Sequence, residues 1–313
     1  MFLQQLINGL TLGGVYALIA VGYTMVYGII ELINFAHGEI YMLGAYLAFS
    51  CVAIFHLPFP SAIIVSVCSC AIFGIFLEYV AYRPLRKAPR LAALITAIGA
   101  SLFLQNIALF IWGGRLKTYP TNTLPRFFDE VAITLFKRVF QAGKVGSLHV
   151  SHVQEIHISW LQLTIFVVTI ILMIGLHLLI TRTRIGTAMR ACAQDKVTAS
   201  LMGINVNRVI SFTFAVGSSL GAVAGIIVGI YYGAIFPMMG YTAGVKAFAA
   251  AVLGGIGNIP GAMMGGFVLG VAESLGAGYI SSGYRDGISY AIMILVIIFR
   301  PSGLLGRKQV VKV

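Results

Sequence analysis

The chain alternates long apolar runs with short basic breaks. Predominantly apolar stretches lie near residues 5–30, 33–55, 61–82, 91–112, 160–181, 209–232 and 287–300. About 20 such residues cross a bilayer as a helix. The stretch 242–279 is apolar too, but it is broken at Gly254-Gly255-Ile256-Gly257-Asn258-Ile259-Pro260-Gly261. It reads as a short segment, 242–256, followed by a full one, 260–279. Four-residue glycine spacing marks one span: Gly217, Gly221, Gly225 and Gly229, with Gly233 beyond. Residues four apart share a helix face, so this is a smooth strip for close helix approach. Gly261/Gly265 and Gly266/Gly270 repeat the spacing.

The breaks carry the charge. Residues 83–90, 182–208 and the tail from Arg300 hold 13 of the 21 Lys and Arg residues. They are Arg83, Arg86, Lys87 and Arg90, then Arg182, Arg184, Arg190, Lys196 and Arg208, then Arg300, Arg307, Lys308 and Lys312. Basic loops stay in the cytoplasm, which places these three inside. The 113–159 loop dilutes its basic residues with Asp129, Glu130 and Glu155 and reads as external. From an inside C-terminus the sides alternate only if 33–55 and 242–256 both cross. That gives nine segments with the N-terminus outside, or eight if one of the short ones is re-entrant. The expected fold is thus an all-α polytopic membrane protein, a single transmembrane domain over 1–313.

Composition sharpens this. The chain is 59% hydrophobic and 10% charged, with mean hydropathy +0.96; a soluble domain is about a quarter charged. The net charge of +12 sits in the breaks and reads as topology and membrane-lipid contact, with no nucleic-acid partner. Met-Phe-Leu-Gln-Gln lacks the basic start of a signal peptide, so the first span is expected to stay. Cys51, Cys68, Cys70 and Cys192 have neither zinc nor disulfide spacing. His149, His152 and His157 lack a completing carboxylate and read as solvated loop residues, so no metal is expected. No P-loop, H-E-x-x-H or G-x-S-x-G occurs.

Polar groups inside apolar runs are the candidates for function, because burying them costs several kcal/mol unless they are paired or wetted. Asn34-Phe35-Ala36-His37-Gly38-Glu39 puts three together. Asn34 could cap a helix starting at Phe35. His37 and Glu39 could pair with each other's neighbours or with Lys246, and the group is either a polar hinge in a broken helix or lining of a path. Lys246 either snorkels or lines the path. Glu273 lies deeper and needs a partner. Glu78 lies near Arg83, and Gln105 and Asn106 suit interhelical hydrogen bonds. In the loop 182–208, Ala188, Ala191, Cys192, Val197 and Leu201 recur at helical spacing. They predict one amphipathic helix across 186–203, stopped by Gly203 or Asn205. It would lie on lipid headgroups or dock a cytoplasmic partner.

Several stretches together resemble the smaller membrane permease of branched-chain amino-acid ABC importers. They are Leu32-Ile-Asn-Phe-Ala-His-Gly-Glu39-Ile-Tyr-Met-Leu-Gly44-Ala-Tyr, Tyr82-Arg-Pro-Leu-Arg86 and Leu94-Ile-Thr-Ala-Ile-Gly-Ala-Ser-Leu-Phe-Leu-Gln-Asn106. The 186–205 loop and Ala249-Ala-Ala-Val-Leu-Gly-Gly-Ile-Gly-Asn-Ile-Pro-Gly-Ala262 complete the set. The likeness covers nearly the whole chain except 113–159. It implies a bacterial inner-membrane subunit that is not itself an enzyme and binds no cofactor of its own. ATP would be used by two cytoplasmic ATPase subunits, alongside a second homologous permease and a periplasmic substrate-binding protein. The family's coupling segment falls on Gly186–Gly203, with Gly186, Arg190, Ala191, Asp195 and Gly203 as coupling candidates. Asn34, His37, Glu39, Lys246 and Glu273 are the candidates for path or gate. The alternatives are a urea or short-amide permease, a channel, and a proton-coupled transporter working through His37, Glu39 and Glu273.

Overall fold

The computed structural model describes residues 2–119, 131–141 and 151–306. The described residues are mostly helical, and the fold is that of an all-α polytopic membrane protein. Its helices are α1 (Phe2–Ile30), α2 (His37–Ala53), α3 (Phe59–Leu77), α4 (Arg90–Trp112), α5 (Trp160–Arg182) and α6 (Arg184–Gln194). There follow α7 (Lys196–Leu201), α8 (Val206–Tyr232), α9 (Met239–Gly254), α10 (Ile259–Tyr279) and α11 (Arg285–Phe299). Among the described residues, seven helical stretches are long and apolar enough to cross a membrane. α2 and α9, at 17 and 16 residues, fall just short. At 1.5 Å per residue they are about 25 and 24 Å long, against roughly 30 Å of hydrocarbon.

Local chemistry sets the ends. Ser159 and Gln162 form a reciprocal capping box on α5. Asn258 accepts from Gly261 N at 3.3 Å to start α10, with a proline in its first turn. Gly233 closes α8 in the left-handed conformation at φ 63. α3 runs into a π turn, Glu78–Tyr82, then a 3-10 turn, Pro84–Lys87.

Contacts sort the loops into two ends. At one end the Ile30 carbonyl accepts from Lys196 Nζ at 3.3 Å, and Arg86 donates to Asn207 at 2.5 Å. The backbones of Leu304 and Leu305 bond those of Leu253 and Gly254 there. This is the basic end. At the opposite end Trp112 donates to Ser50 at 2.8 Å, Gln4 bonds the His157 backbone, and Tyr119 N donates to Gly233 O. The starts of α2 and α9 meet inside the bundle, where Gly38 packs on Gly240 and Gly244 and His37 sits against Gly22. From there α2 runs toward the opposite end and α9 toward the basic end.

The centre is α1 and α8. Of their most apolar windows 89% and 67% is buried, against 22–28% for α3, α4 and α5. Glycine lets backbones touch there. A Cβ on Gly270 would strike the Gly13 backbone, and one on Gly225 the Tyr41 carbonyl. Gly270→Ala is therefore expected to destabilise by about 1–3 kcal/mol through overpacking. Gly175→Ala, which meets nothing within 4 Å, should be near neutral. Thermal melting of both variants in detergent checks the contrast.

The stretch that the sequence reading took as a plain external loop carries strands. β2 (Val131–Gln141) and β3 (Ser151–Ser159) pair antiparallel, from Val131↔Ser159 to Gln141↔Ser151. β1 (Lys117–Thr118) pairs with β4 (Ala234–Ile235) and ties the segment to the end of α8. Residues 120–130 and 142–150 lie outside the described residues, and with them Asp129, Glu130 and His149. So does the tail with Arg307, Lys308 and Lys312.

Candidate functional site: two polar layers and an elbow of short helices

The sequence candidates separate into three places. The first is the joint between α1 and α2. The chain leaves α1 through Glu31 at φ 61, a left-handed conformation rare for a side chain with a Cβ. Asn34 does not cap α2: Ala36 stands at the cap position without a side-chain bond. The Asn34 side chain accepts from Tyr82 Oη at 2.6 Å, so a long-range partner displaced the local one. His37 is buried and does not reach Lys246. Its ring stands edge-on to Tyr23 at 4.9 Å. It fills the gap where a Cβ on Gly22 would fall, 3.6–3.7 Å from where Gly217 and Gly221 would carry theirs. Part of the glycine strip thus makes room for an imidazole. Glu39 accepts from Ser101 Oγ at 2.9 Å and Gln105 Nε2 at 2.8 Å on α4. Asn106, in contrast, bonds back to Leu102 within its own helix at 2.7 Å and, among the described residues, to no neighbouring helix. Three polar residues of one hexapeptide therefore hold α1, α4, α8 and the end of α3 around α2.

The second place lies among α1, α9, α10 and the start of α11. Lys246 of α9 neither snorkels nor pairs with the hexapeptide. Its Nζ is 2.9 Å from Glu273 Oε1 and 2.6 Å from Asp286 Oδ1, and 5.8 Å from the centre of the Tyr16 ring. Glu273 Oε2 accepts from Tyr16 Oη at 2.9 Å and Ser289 Oγ at 3.0 Å. Arg285 Nε is in ion-pair contact with Glu273 at 3.1 Å. Two cations thus face two carboxylates, and Glu273 is 1% exposed. Beside them is a cavity of about 290 Å3. Its walls include Leu12, Val15, Tyr41, Val228, Met239 and Ala243, with Tyr232 and Phe236 toward the opposite end. The site offers a charge-balanced polar wall facing an apolar one. The sequence reading missed Arg285, Asp286, Tyr16 and Ser289. Opposite charges on two successive apolar segments were the available signal, because a charge buried in a membrane needs its partner.

The third place is the basic elbow between α5 and α8, where the sequence predicted one helix. There are two, broken at Asp195. Thr183 caps α6 by accepting from Gly186 N at 3.0 Å. Asp195 caps α7, accepting from Val197 N at 2.8 Å and Thr198 Oγ1 at 2.5 Å. The Thr198 hydroxyl and the two amides hold the Asp195 carboxyl below the usual carboxylate range. Gly203, at φ 83, ends the elbow, and Asn205 caps α8 by accepting from Arg208 N at 3.1 Å. Gly186, Met189, Cys192 and Ala199 face the bundle, while Arg190 is exposed and Ala191 half-buried. A Cβ on Gly186 would strike the carbonyls of Leu179 and Ile180, so glycine is needed for the sharp turn out of α5. Val197, Leu201 and Met202 are 70%, 83% and 79% exposed. Glu78, at this same end, pairs with Arg86 and not with Arg83, and accepts from Ser211 Oγ at 2.7 Å.

Compared with known proteins, residues 5–297 match the family described as the permease component of branched-chain amino acid transport systems. The chain belongs to this family. It is 48% identical to the high-affinity branched-chain amino acid transport system permease protein BraD of Pseudomonas aeruginosa, over 100% of this chain and 98% of BraD. It is 45% identical to the corresponding protein LivH of Escherichia coli K12, with the same coverage. A probable branched-chain amino acid transport permease of Methanocaldococcus jannaschii is 32% identical over 92% of this chain and 88% of its own length. No solved structure matches. In this permease both polar layers adjoin α9, whose Gly240 and Gly244 pack on Gly38 and whose Lys246 holds Glu273. The elbow is bonded to the hexapeptide joint through Lys196 and Ile30.

Proposed function

We infer that the chain is the smaller membrane permease of an ATP-driven importer for branched-chain amino acids in a bacterial inner membrane. It crosses nine times, with its N-terminus outside and its basic end in the cytoplasm. The cargo comes from a periplasmic binding protein, a second homologous permease completes the path, and two ATPases dock at the basic end. The observation that carries this reading is the elbow: two short helices presenting Val197, Leu201 and Met202 outward while bonded to the joint between α1 and α2. Motion of a docked partner has a direct route to α2. A branched-chain amino acid is a zwitterion with an apolar side chain, and the cavity beside Lys246 and Glu273 offers both kinds of wall.

Purification from native membranes tests this. Two ATPases and a second permease should accompany the chain, and uptake in vesicles should require ATP. Uptake by the chain alone, abolished by an uncoupler, would overturn the reading in favour of proton coupling. Glu39 and Glu273 have separate partner sets, which does not support a proton relay between them. The ligand of the co-purified binding protein distinguishes amino acids from urea. A cysteine at Leu3 should react only with external reagent; labelling from the cytoplasm alone would refute nine crossings.

A further inference from the structure

The arginines at the basic end are of two kinds. Arg86 is committed to Glu78 and Asn207. Arg83 and Arg208 are exposed, and among the described residues neither meets a carboxylate. Both line one open pocket of about 430 Å3 between the end of α3 and the start of α8. Asn205, Asn207 and Ser211 share its polar part; Ile75, Phe212 and Ala215 form its apolar floor.

That floor continues. α8 is largely buried, yet Phe212, Ala215, Val216, Ser219, Val223 and Ile227 are only half-buried. They recur every three or four residues, so they form one uncovered stripe leading from the pocket along the helix. Tyr79, 60% exposed, lies under the Arg83 guanidinium at 5.2 Å. A tyrosine with one wet and one apolar side suits the headgroup level of a membrane.

The geometry points to a binding site for one anionic phospholipid. Its phosphate sits between Arg83 and Arg208, with the side-chain amides of Asn205 and Asn207 as further donors, and an acyl chain lies along the α8 stripe. A soluble anion has no use for the groove, and an acidic protein surface has none for the apolar stripe. Paired arginines above a groove between helices match a lipid on both counts. The site rests on the orientation inferred above, in which the basic end faces the inner leaflet.

Native mass spectrometry of the full-length chain in detergent, titrated with phosphatidylglycerol, tests the site. Orientation does not enter that measurement, so its failure is separate from a failure of topology. The double variant Arg83→Gln/Arg208→Gln should bind roughly thirtyfold more weakly, taking each arginine at the usual increment for a basic residue near an anionic membrane. Its melting behaviour should be unchanged. Arg115→Gln, at the opposite end, should bind as the parent does, and inorganic phosphate should not compete. Unchanged lipid affinity in the double variant would overturn the site. So would competition by phosphate, or retained lipid with loss of co-purifying ATPases, which would mark a protein-binding surface.

Discussion

Lys246→Met is expected to destabilise the protein by about 3 kcal/mol, the low end of what breaking a buried ion pair costs. The argument rests on what stays behind. Glu273 is 1% exposed and would keep its hydrogen bonds from Tyr16 and Ser289 but lose its closest cation. Arg285, at 3.1 Å, offsets part of the loss. The Asp286 side chain is 57% exposed and can turn to water, so it adds little to the cost. Glu273→Gln should be damaging for the opposite reason, leaving Lys246 with Asp286 as its one carboxylate. The double variant Lys246→Met/Glu273→Gln removes both buried charges and should be more stable than the sum of the single losses predicts. A double-mutant cycle on melting in detergent reads this coupling, expected at 1 kcal/mol or more for groups in one network. Additive losses would mean that the two ions do not act as a pair.

The bilayer explains what could be read from the sequence. A spanning helix must be apolar for about 20 residues, so the long spans stand out whatever they pack against. α2 and α9 are also visible because they are uncharged over most of their length, although they are short. Partner choice was not visible. Asn34 sits where a cap residue would, but Tyr82 lies 48 positions away and binds it instead. Glu78 lies nearer Arg83 in sequence, yet it pairs with Arg86. The π turn and the 3-10 turn that follow carry Arg83 out over Tyr79 and return Arg86 to the carboxylate.

The break at Asp195 was masked by apolar periodicity that runs across it. A carboxylate two residues before an amide it can cap is equally a start signal, and here the cap wins. The strands β2 and β3 are too short and too mixed in polarity to stand out beside the long apolar runs. The run Val131-Ala-Ile-Thr-Leu-Phe is β-branched and aromatic enough to have suggested a strand. The charged quartet is half legible: Lys246 and Glu273 stand inside apolar segments, whereas Arg285 and Asp286 fall just outside the apolar stretch 287–300.

Leu201→Glu/Met202→Glu should abolish ATP-driven uptake without unfolding the chain. Both side chains are about four-fifths exposed, so nothing inside the bundle depends on them. Exposed leucine and methionine at the tip of a basic elbow need a cover, and two are available, lipid headgroups and a docked ATPase. Fully burying each side chain contributes about 1.5–3 kcal/mol. Losing both contacts and adding two charges should weaken a protein interface by roughly a hundredfold or more. The ATPases should then fail to co-purify while melting is unchanged. Gly186→Glu is a poorer test, because its side chain would strike the Leu179 and Ile180 carbonyls and distort the turn itself. Normal uptake by the Leu201/Met202 variant would assign this tip to the membrane surface and move the docking face elsewhere. Arg190, exposed on α6, would be the next position to reverse in charge.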